Sequence, residues 1–393
     1  MSGCVRSSRP SSATFPSALG DYLAAVSNRY AGVRFASPGA AEMERVLLAW
    51  MAELVGYPAT ASGHLASGGS IANLTAIVAA RDATRLSPRD FDRAVVYTSD
   101  DAHHSIDKAL HVAGLSSGRL VRVEHDDRRR MRPDALEAAV ERDRASGLCP
   151  WLVVAAAGTT NVGAVDPLQE IAEVCERHEL WLHVDAAYGG FFALLDECRP
   201  LLAGMERADS LVLDPHKGLF LPYGTGAVLV REGDALRRAF SSSAAYMQDA
   251  RAGSDASDSP ADLSPELTKH WRGLRLWLPL MLFGLAPFRS CLREKRLLAR
   301  YFHEQVQGLG FEVGPEPDLS VVTYRFVPKR GDADAFNRAL LDHVLSDGRV
   351  FVSSTTLDGR FMLRLAVLNF RTHLDVIDEF LDILRRGVAQ LQD

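Results

Sequence analysis

The stretch Leu211-Val212-Leu213-Asp214-Pro215-His216-Lys217-Gly218 decides how the rest of the chain is read. Three apolar residues end a strand, and a lysine follows just past its carboxyl end. In open α/β sheets, ligands bind outside the carboxyl ends of strands. A lysine placed there and partly shielded from water can attack an aldehyde as the free amine. Taken alone, the same residues are read as simply as a surface loop that carries a lysine, so the neighbouring segments must decide.

Four other stretches have the same layout. In Leu182-His183-Val184-Asp185-Ala186-Ala187-Tyr188-Gly189-Gly190 a short apolar strand ends in a carboxylate. A shielded carboxylate needs a cationic partner to stay charged. A protonated pyridine nitrogen is such a partner, and a charged ring nitrogen makes the ring an electron sink, the chemistry of pyridoxal 5′-phosphate (PLP). Helix capping is the plainer role for this Asp. Ser67-Gly68-Gly69-Ser70-Ile71-Ala72-Asn73 opens a helix. Its glycines let backbone N–H groups approach an anion, and a helix N-terminus favours a phosphate, although Gly-Gly-Ser also serves as an ordinary cap. Ser99-Asp100-Asp101-Ala102-His103-His104-Ser105 offers an imidazole that could stack on a flat ring or move a proton. Gly158-Thr159-Thr160-Asn161-Val162-Gly163 offers hydroxyls. Each signal is modest. Their succession at strand ends, in the order Gly turn, His, Thr-Thr, Asp, Lys, is far more specific.

Periodicity supports that layout. Strands are expected at Ala94–Thr98, Leu120–Val123, Trp151–Ala157, Trp181–Val184, Ser210–Leu213 and Gly226–Val230. Helices are expected at Ala41–Leu54, from Gly69 through Ala80, and at Ile106–Val112, Asp134–Ala145 and Asp166–Arg177. Apolar strands separated by amphipathic helices indicate an α/β fold with a mostly parallel sheet covered on both faces. Residues 248–266 are small and polar and read as a mobile loop. After a helix near Trp271, a smaller α+β unit follows. It has a helix to about Leu309, strands at Ser320–Phe326, Val350–Ser353 and Phe361–Val367, a helix at Ala333–Ser346 and a final helix from Asp375. The expected division is a tail and short arm over 1–45, a large domain over 46–285 and a small domain over 286–393.

Bulk properties agree. The chain has 393 residues, 47% hydrophobic and 24% charged, which suits two globular domains. A net charge of -6 gives no field that would draw it to nucleic acid or acidic lipid. Five cysteines at wide spacings, with no CxxC pair, argue against zinc or a disulfide framework, so no metal is expected. Met1–Pro10 has no apolar segment behind it, and no uncharged run is long enough to cross a bilayer. A reducing cytoplasm is the expected location.

Together these residues resemble the group II PLP-dependent amino-acid decarboxylases, the aromatic-L-amino-acid and glutamate decarboxylase family. His183-Val184-Asp185-Ala186-Ala187-Tyr188 and Pro215-His216-Lys217 carry the likeness. It runs from about Phe15 to the C-terminus and includes Arg272–Gly284 and Leu363–Thr372. The resemblance implies a fold-type I PLP enzyme, with a seven-stranded sheet and a small C-terminal domain, that works as a homodimer on an amino acid. It implies that Lys217 holds the cofactor as a Schiff base, Asp185 pairs with the pyridine nitrogen, His103 stacks on one ring face and Ala187 packs on the other. Gly69 and Ser70 would hold the phosphate, Thr159 would lie near the ring, and His216 would touch phosphate or substrate. Arg364 matches an arginine near the substrate carboxylate. Phe15 and Phe35 are candidates to reach a partner's substrate pocket. The implied reaction removes carbon dioxide from an L-amino acid and leaves the amine, with an aromatic side chain expected over an acidic one.

Three departures bear on that reading. Relatives carry a helical arm ahead of the point matching Phe15, which is absent here. Many place a tyrosine in the mobile loop as proton donor to Cα, whereas 248–266 has none and Tyr246 stands just before it. Asp214 replaces the asparagine that aromatic decarboxylases have before Pro-His-Lys. The second departure keeps open an aldehyde synthase, or another lyase or transaminase reaction, on the same scaffold. The first two keep open an inert PLP-binding protein. A cysteine desulfurase lacks its loop thiol, and a nucleotide-binding protein lacks a P-loop or GxGxxG turn.

Overall fold

A computed structural model describes residues 14–241 and 259–392. Seven strands form the larger sheet: β1 (Ser62–Ala66), β2 (Ala94–Ser99), β3 (Arg119–Val123), β4 (Cys149–Ala156), β5 (Trp181–Asp185), β6 (Ser210–Leu213) and β7 (Gly226–Val230). Their order is β1-β7-β6-β5-β4-β2-β3. The run from β3 through β6 is parallel, and β7 is antiparallel to both β6 and β1. Two reversals therefore bring β1 back into the direction of the central strands. The carboxyl ends of β1, β2, β4, β5 and β6 all meet on one edge.

β2, β4, β6 and β7 are largely apolar because both faces are covered, whereas β1 carries Ser62, Gly63 and His64 and the edge strand β3 exposes Arg119 and Arg122. Alternate side chains go to opposite layers. Val95, Tyr97, Val153 and Ala155 pack with Leu47, Met51, Leu136, Val140 and Ile171 on one face. Val96, Leu152 and Val154 pack with Ile77, Ile106 and Ala109 on the other. The helix Gly69–Ala83 lies on that second side. Its buried Ala72, Ala76, Ala79 and Ala80 give it a small-residue face.

The smaller sheet is antiparallel, with β8 (Phe311–Val313), β9 (Val321–Phe326), β10 (Ser353–Leu357) and β11 (Arg360–Ala366) in the order β10-β11-β9-β8. The helix Ala286–Gly308 joins the two cores. Phe288 and Leu292 pack into the large one, and Leu298, Phe302 and Val306 into the small one. Among the described residues no helix is long and apolar enough to cross a membrane.

Several elements differ from the sequence expectation, each for a visible reason. β1 was not expected, because Gly63 and His64 interrupt its apolar pattern. Gly63 is required: a Cβ there would meet the carbonyl oxygen of Val228 on β7 at 2.1 Å. The helix Phe15–Ser27 occupies what reads as tail and arm, and Gly20 lets it lie against Leu274, whose carbonyl oxygen a Cβ would meet at 2.6 Å. The helix expected from Asp166 starts at Leu168. Asp166 instead accepts from the backbone N–H groups of Met131 (2.8 Å) and Ala156 (2.7 Å), and burial pushes its pKa up to about 6. The strand expected at Val350–Ser353 forms at Ser353–Leu357, and β8 was missed. Of the expected loop, 248–258 lies outside the described residues. Pro260–Leu263 forms a buried turn, tied by the N–H of Ala261 to the carbonyl of Gly32 (2.9 Å).

Candidate active site

The five strand ends on the common edge surround a cavity of about 370 Å³. Gly69, Ser70, His103, Thr159, Asp185, Ala187, Asp214, His216 and Lys217 all line it. Arg364 stands behind one wall, and its Nε donates to the carbonyls of Thr160 and Asn161, each at 3.0 Å. Phe15 and Phe35 lie elsewhere on the surface, 78% and 70% exposed.

β6 delivers Lys217. The chain leaves Leu213, passes the buried Asp214 and turns through the single helical turn Pro215–Gly218. Pro215 suits that first turn, where its missing N–H is no loss. Lys217 Nζ lies 3.0 Å from Asp214 Oδ2, and His216 Nε2 lies 3.7 Å from the same oxygen. His216 is held by Nδ1–H donation to the carbonyl of Thr225 at 2.6 Å, which puts its proton on Nδ1.

β5 delivers Asp185. Oδ2 accepts from Asn73 Nδ2 at 2.9 Å and Oδ1 from the N–H of Ala187 at 3.1 Å. Both oxygens are therefore oriented by donors, and the carboxylate still lines the cavity. β2 delivers His103. Its Nδ1 accepts from the backbone N–H of Ser105 at 3.1 Å and stands 2.7 Å from that residue's hydroxyl. Those donors leave the ring proton on Nε2, and burial lowers the imidazole's pKa, with the Asp185 carboxylate opposing the shift. The ring is neutral near pH 7.

β4 delivers Thr159, whose Oγ1 accepts from the N–H of Ala164 at 3.1 Å. Tyr188 closes that side. Its hydroxyl is 2.7 Å from Ser320 Oγ and accepts the N–H of Ser320 at 2.8 Å. Burial pushes its pKa up to about 12, so it is a wall rather than an acid. Arg364 has no carboxylate within ion-pair distance among the described residues, and burial lowers its pKa. A shielded arginine without an acid partner is a ready receptor for an anion.

The helix Gly69–Ala83 begins with no side-chain cap, its N-cap being Gly68. The first amides of the helix therefore have no side-chain acceptor at the edge of the cavity. Gly69 cannot carry a side chain: a Cβ would stand 2.9 Å from Asp214 Oδ2 and 3.4 Å from Ala187 Cβ. Beside this cradle, Asp214 Oδ1 is buried and has no hydrogen-bond partner among the described residues. An uncapped helix start for a phosphate, a carboxylate with both oxygens oriented for a ring nitrogen, an amine for an aldehyde and a flat imidazole fit PLP group by group.

Sequence reasoning did not single out Asn73, Ser105, Thr160 or Tyr223 among the lining residues. Asn73 had a readable signal. It is a carboxamide among the buried residues of a helix whose others are mostly alanines, with Thr75 and Ile77, and such a group needs partners.

The sequence matches the profile described as the pyridoxal-dependent decarboxylase conserved domain over residues 5–327. It is 35% identical to an aromatic-L-amino-acid decarboxylase of Bacillus atrophaeus, over 95% of this chain and 78% of the relative. It is 31% identical to a phenylacetaldehyde synthase of Arabidopsis thaliana, over 91% and 76%. The fold superposes on the crystal structure of Oryza sativa TDC with PLP and tryptamine with a TM-score of 0.90 and 28% identity, covering 98% of this chain and 84% of that one. By fold, by cavity chemistry and by these likenesses, the chain belongs to the pyridoxal-dependent decarboxylases, fold-type I carboxy-lyases of amino acids with PLP as cofactor.

Proposed function

We propose that the enzyme decarboxylates an aromatic L-amino acid to its amine, with Lys217 as the residue that carries the cofactor. The observation that bears most weight is the convergence of Lys217, Asp185 and His103 on one cavity that ends at the uncapped start of the helix Gly69–Ala83. The relatives' printed substrates, tyrosine and tryptophan among them, support the aromatic assignment.

When bound, PLP supplies an electron sink joined to the substrate's α-carbon, so the carboxylate can leave as carbon dioxide. The chain's own groups prepare that chemistry. The amides of Gly69 and Ser70 and the helix start would hold the phosphate. Asp185, oriented by its two donors, would face the ring nitrogen and favour its protonated form. Neutral His103 would lie flat on one ring face and Ala187 on the other. Thr159 would lie beside the ring and His216 beside the phosphate or substrate. Asp214 Oδ2 stands 3.0 Å from Lys217 Nζ and would fix where the amine sits; only the free amine can attack an aldehyde. Arg364 would take the substrate carboxylate.

The active species we propose is a homodimer in the cytoplasm. The helix Phe15–Ser27 leaves Phe15, Tyr22 and Val26 exposed at 78%, 64% and 66%, and Met281, Leu282 and Phe283 are exposed at 52% to 60%. Apolar side chains in that density suit burial against a second copy, which would bring Phe15 and Phe35 toward its partner's cavity. Unpaired Cys149, Cys175, Cys198 and Cys291 suit a reducing compartment.

A second reading rests on the tyrosine-free segment 248–266. Without that proton donor, dioxygen and water could be consumed together with the amino acid, giving the aldehyde, carbon dioxide, ammonia and hydrogen peroxide in place of the amine. Incubation with a panel of amino acids and mass detection of products separates the two. Amine and carbon dioxide from an aromatic substrate support the first reading. Aldehyde and peroxide support the second. Turnover of acidic or small substrates alone would refute the aromatic assignment.

A further inference from the structure

We infer that Asn73 is the positioning residue that sets Asp185 and His103 together, through a one-way chain of buried hydrogen bonds. The inference rests on the proposed roles of Asp185 and His103 toward the cofactor. Asn73 is the fifth residue of the helix Gly69–Ala83 and is 1% exposed. Its Nδ2 donates to Asp185 Oδ2 and to Ser105 Oγ, both at 2.9 Å, and its Oδ1 lies 3.0 Å from His183 Nε2.

These contacts have only one consistent direction. An ionised carboxylate only accepts, so the amide nitrogen faces Asp185 and the amide oxygen faces His183. His183 must then donate from Nε2. Its Nδ1 accepts from Ser210 Oγ at 2.8 Å, and Ser210 Oγ in turn accepts from Trp181 Nε1 at 2.9 Å. His183 is fully buried, and burial pushes its pKa down to about 4, in keeping with a neutral ring. On the other branch, Ser105 Oγ accepts from Asn73 and passes its own proton to His103 Nδ1. The chain thus runs from Trp181 in the core to two groups on the cavity. It delivers a donor to the carboxylate and a donor to the imidazole. Two substitutes show what the carboxamide supplies: aspartate would oppose Asp185 with like charge, and leucine would leave Asp185 Oδ2 and His183 Nε2 unpaired at once.

The charged and titratable groups facing His103 are Asp185, His104, Lys217 and Asp214, with the His104 ring centroid 4.2 Å away. All of them remain in the test variants Ser105→Ala and Ser105→Thr. In cofactor-free protein, the His103 ring should titrate at higher pH in Ser105→Ala than in wild type, because a donor to Nδ1 is lost. Ser105→Thr, which keeps the hydroxyl, should match wild type. Asn73→Leu should weaken PLP binding about tenfold, the scale of one hydrogen bond to a charged group, and that loss should disappear in an Asp185→Asn background. Equal weakening in both backgrounds, no weakening, or identical His103 titration in the two Ser105 variants would overturn the inference. If Asn73→Leu does not fold, the Ser105 pair still decides. If Asp185→Asn alone leaves PLP affinity unchanged, the assigned role of Asp185 is what fails, and this separates the two claims.

Discussion

The carboxyl edge of the large sheet buries polar groups, whereas the helix Phe15–Ser27 exposes apolar ones. Each inverts the ordinary distribution of residues, and each inversion is more informative than conformity would be. At the sheet edge, Asp214, Asn73 and His183 are at most 1% exposed, yet among the described residues Asp214 Oδ1 has no hydrogen-bond partner, and the helix start has no side-chain cap. On the helix, Phe15, Tyr22 and Val26 face outward without cover. The first region suits a charged small molecule; the second suits the protein surface of the proposed dimer. Predictions that separate these two needs sharpen the comparison, and any that mixes them breaks it.

The largest effect belongs to the cofactor edge. Lys217→Ala should lower decarboxylation at least about a thousandfold, the loss that the proposed cofactor-carrying role of Lys217 requires. Steady-state kinetics with the best panel substrate checks it, and elution from a sizing column should match wild type. Asp185→Asn should cost about a hundredfold in kcat, the scale of removing one preorganised electrostatic group.

The apolar face should respond in the opposite pattern. Tyr22→Glu combined with Val26→Glu puts two charges on it. Sedimentation should then show a monomer that melts as one cooperative unit and keeps the Lys217–Asp214 pair. A variant that stays dimeric would show that this face is not the contact. Arg364→Met should raise KM roughly tenfold or more, from loss of one charge-assisted pair, with a smaller change in kcat.

The smallest effect is on stability. His183 is held neutral with a pKa of about 4, below its unfolded value. Below pH ~6.5 the unfolded chain binds a proton that the folded chain refuses, so stability falls as pH drops from there toward 4, by roughly 1 kcal/mol per pH unit. Denaturant melts across that window should show the slope, and His183→Asn should flatten it.

How much of this was legible in the sequence follows from what each residue needed locally. β2, β4, β5, β6 and β7 were readable because strands buried on both faces are apolar throughout. β1 was not, because an edge strand that packs its backbone against β7 needs Gly63 rather than a large side chain. Lys217, Asp185 and His103 were readable because each lies at or just past the end of a strand visible in the sequence, whereas Gly69 was readable from the Gly-Gly-Ser that opens its helix. Asn73 and Ser105 escaped because they act through contacts 112 and 32 residues away in sequence, between Asn73 and Asp185 and between Asn73 and Ser105. Asp166 illustrates the same limit. It reads as a helix-opening acid, but it holds two distant backbone amides in the core.

Borohydride reduction of the PLP-saturated enzyme, followed by peptide mapping, tests the assignment most directly. A single pyridoxyl-labelled peptide bearing the tag on Lys217 is the predicted result. A tag on Lys269, Lys295 or any other lysine, or protein that stays unlabelled while visibly holding the cofactor, would contradict it.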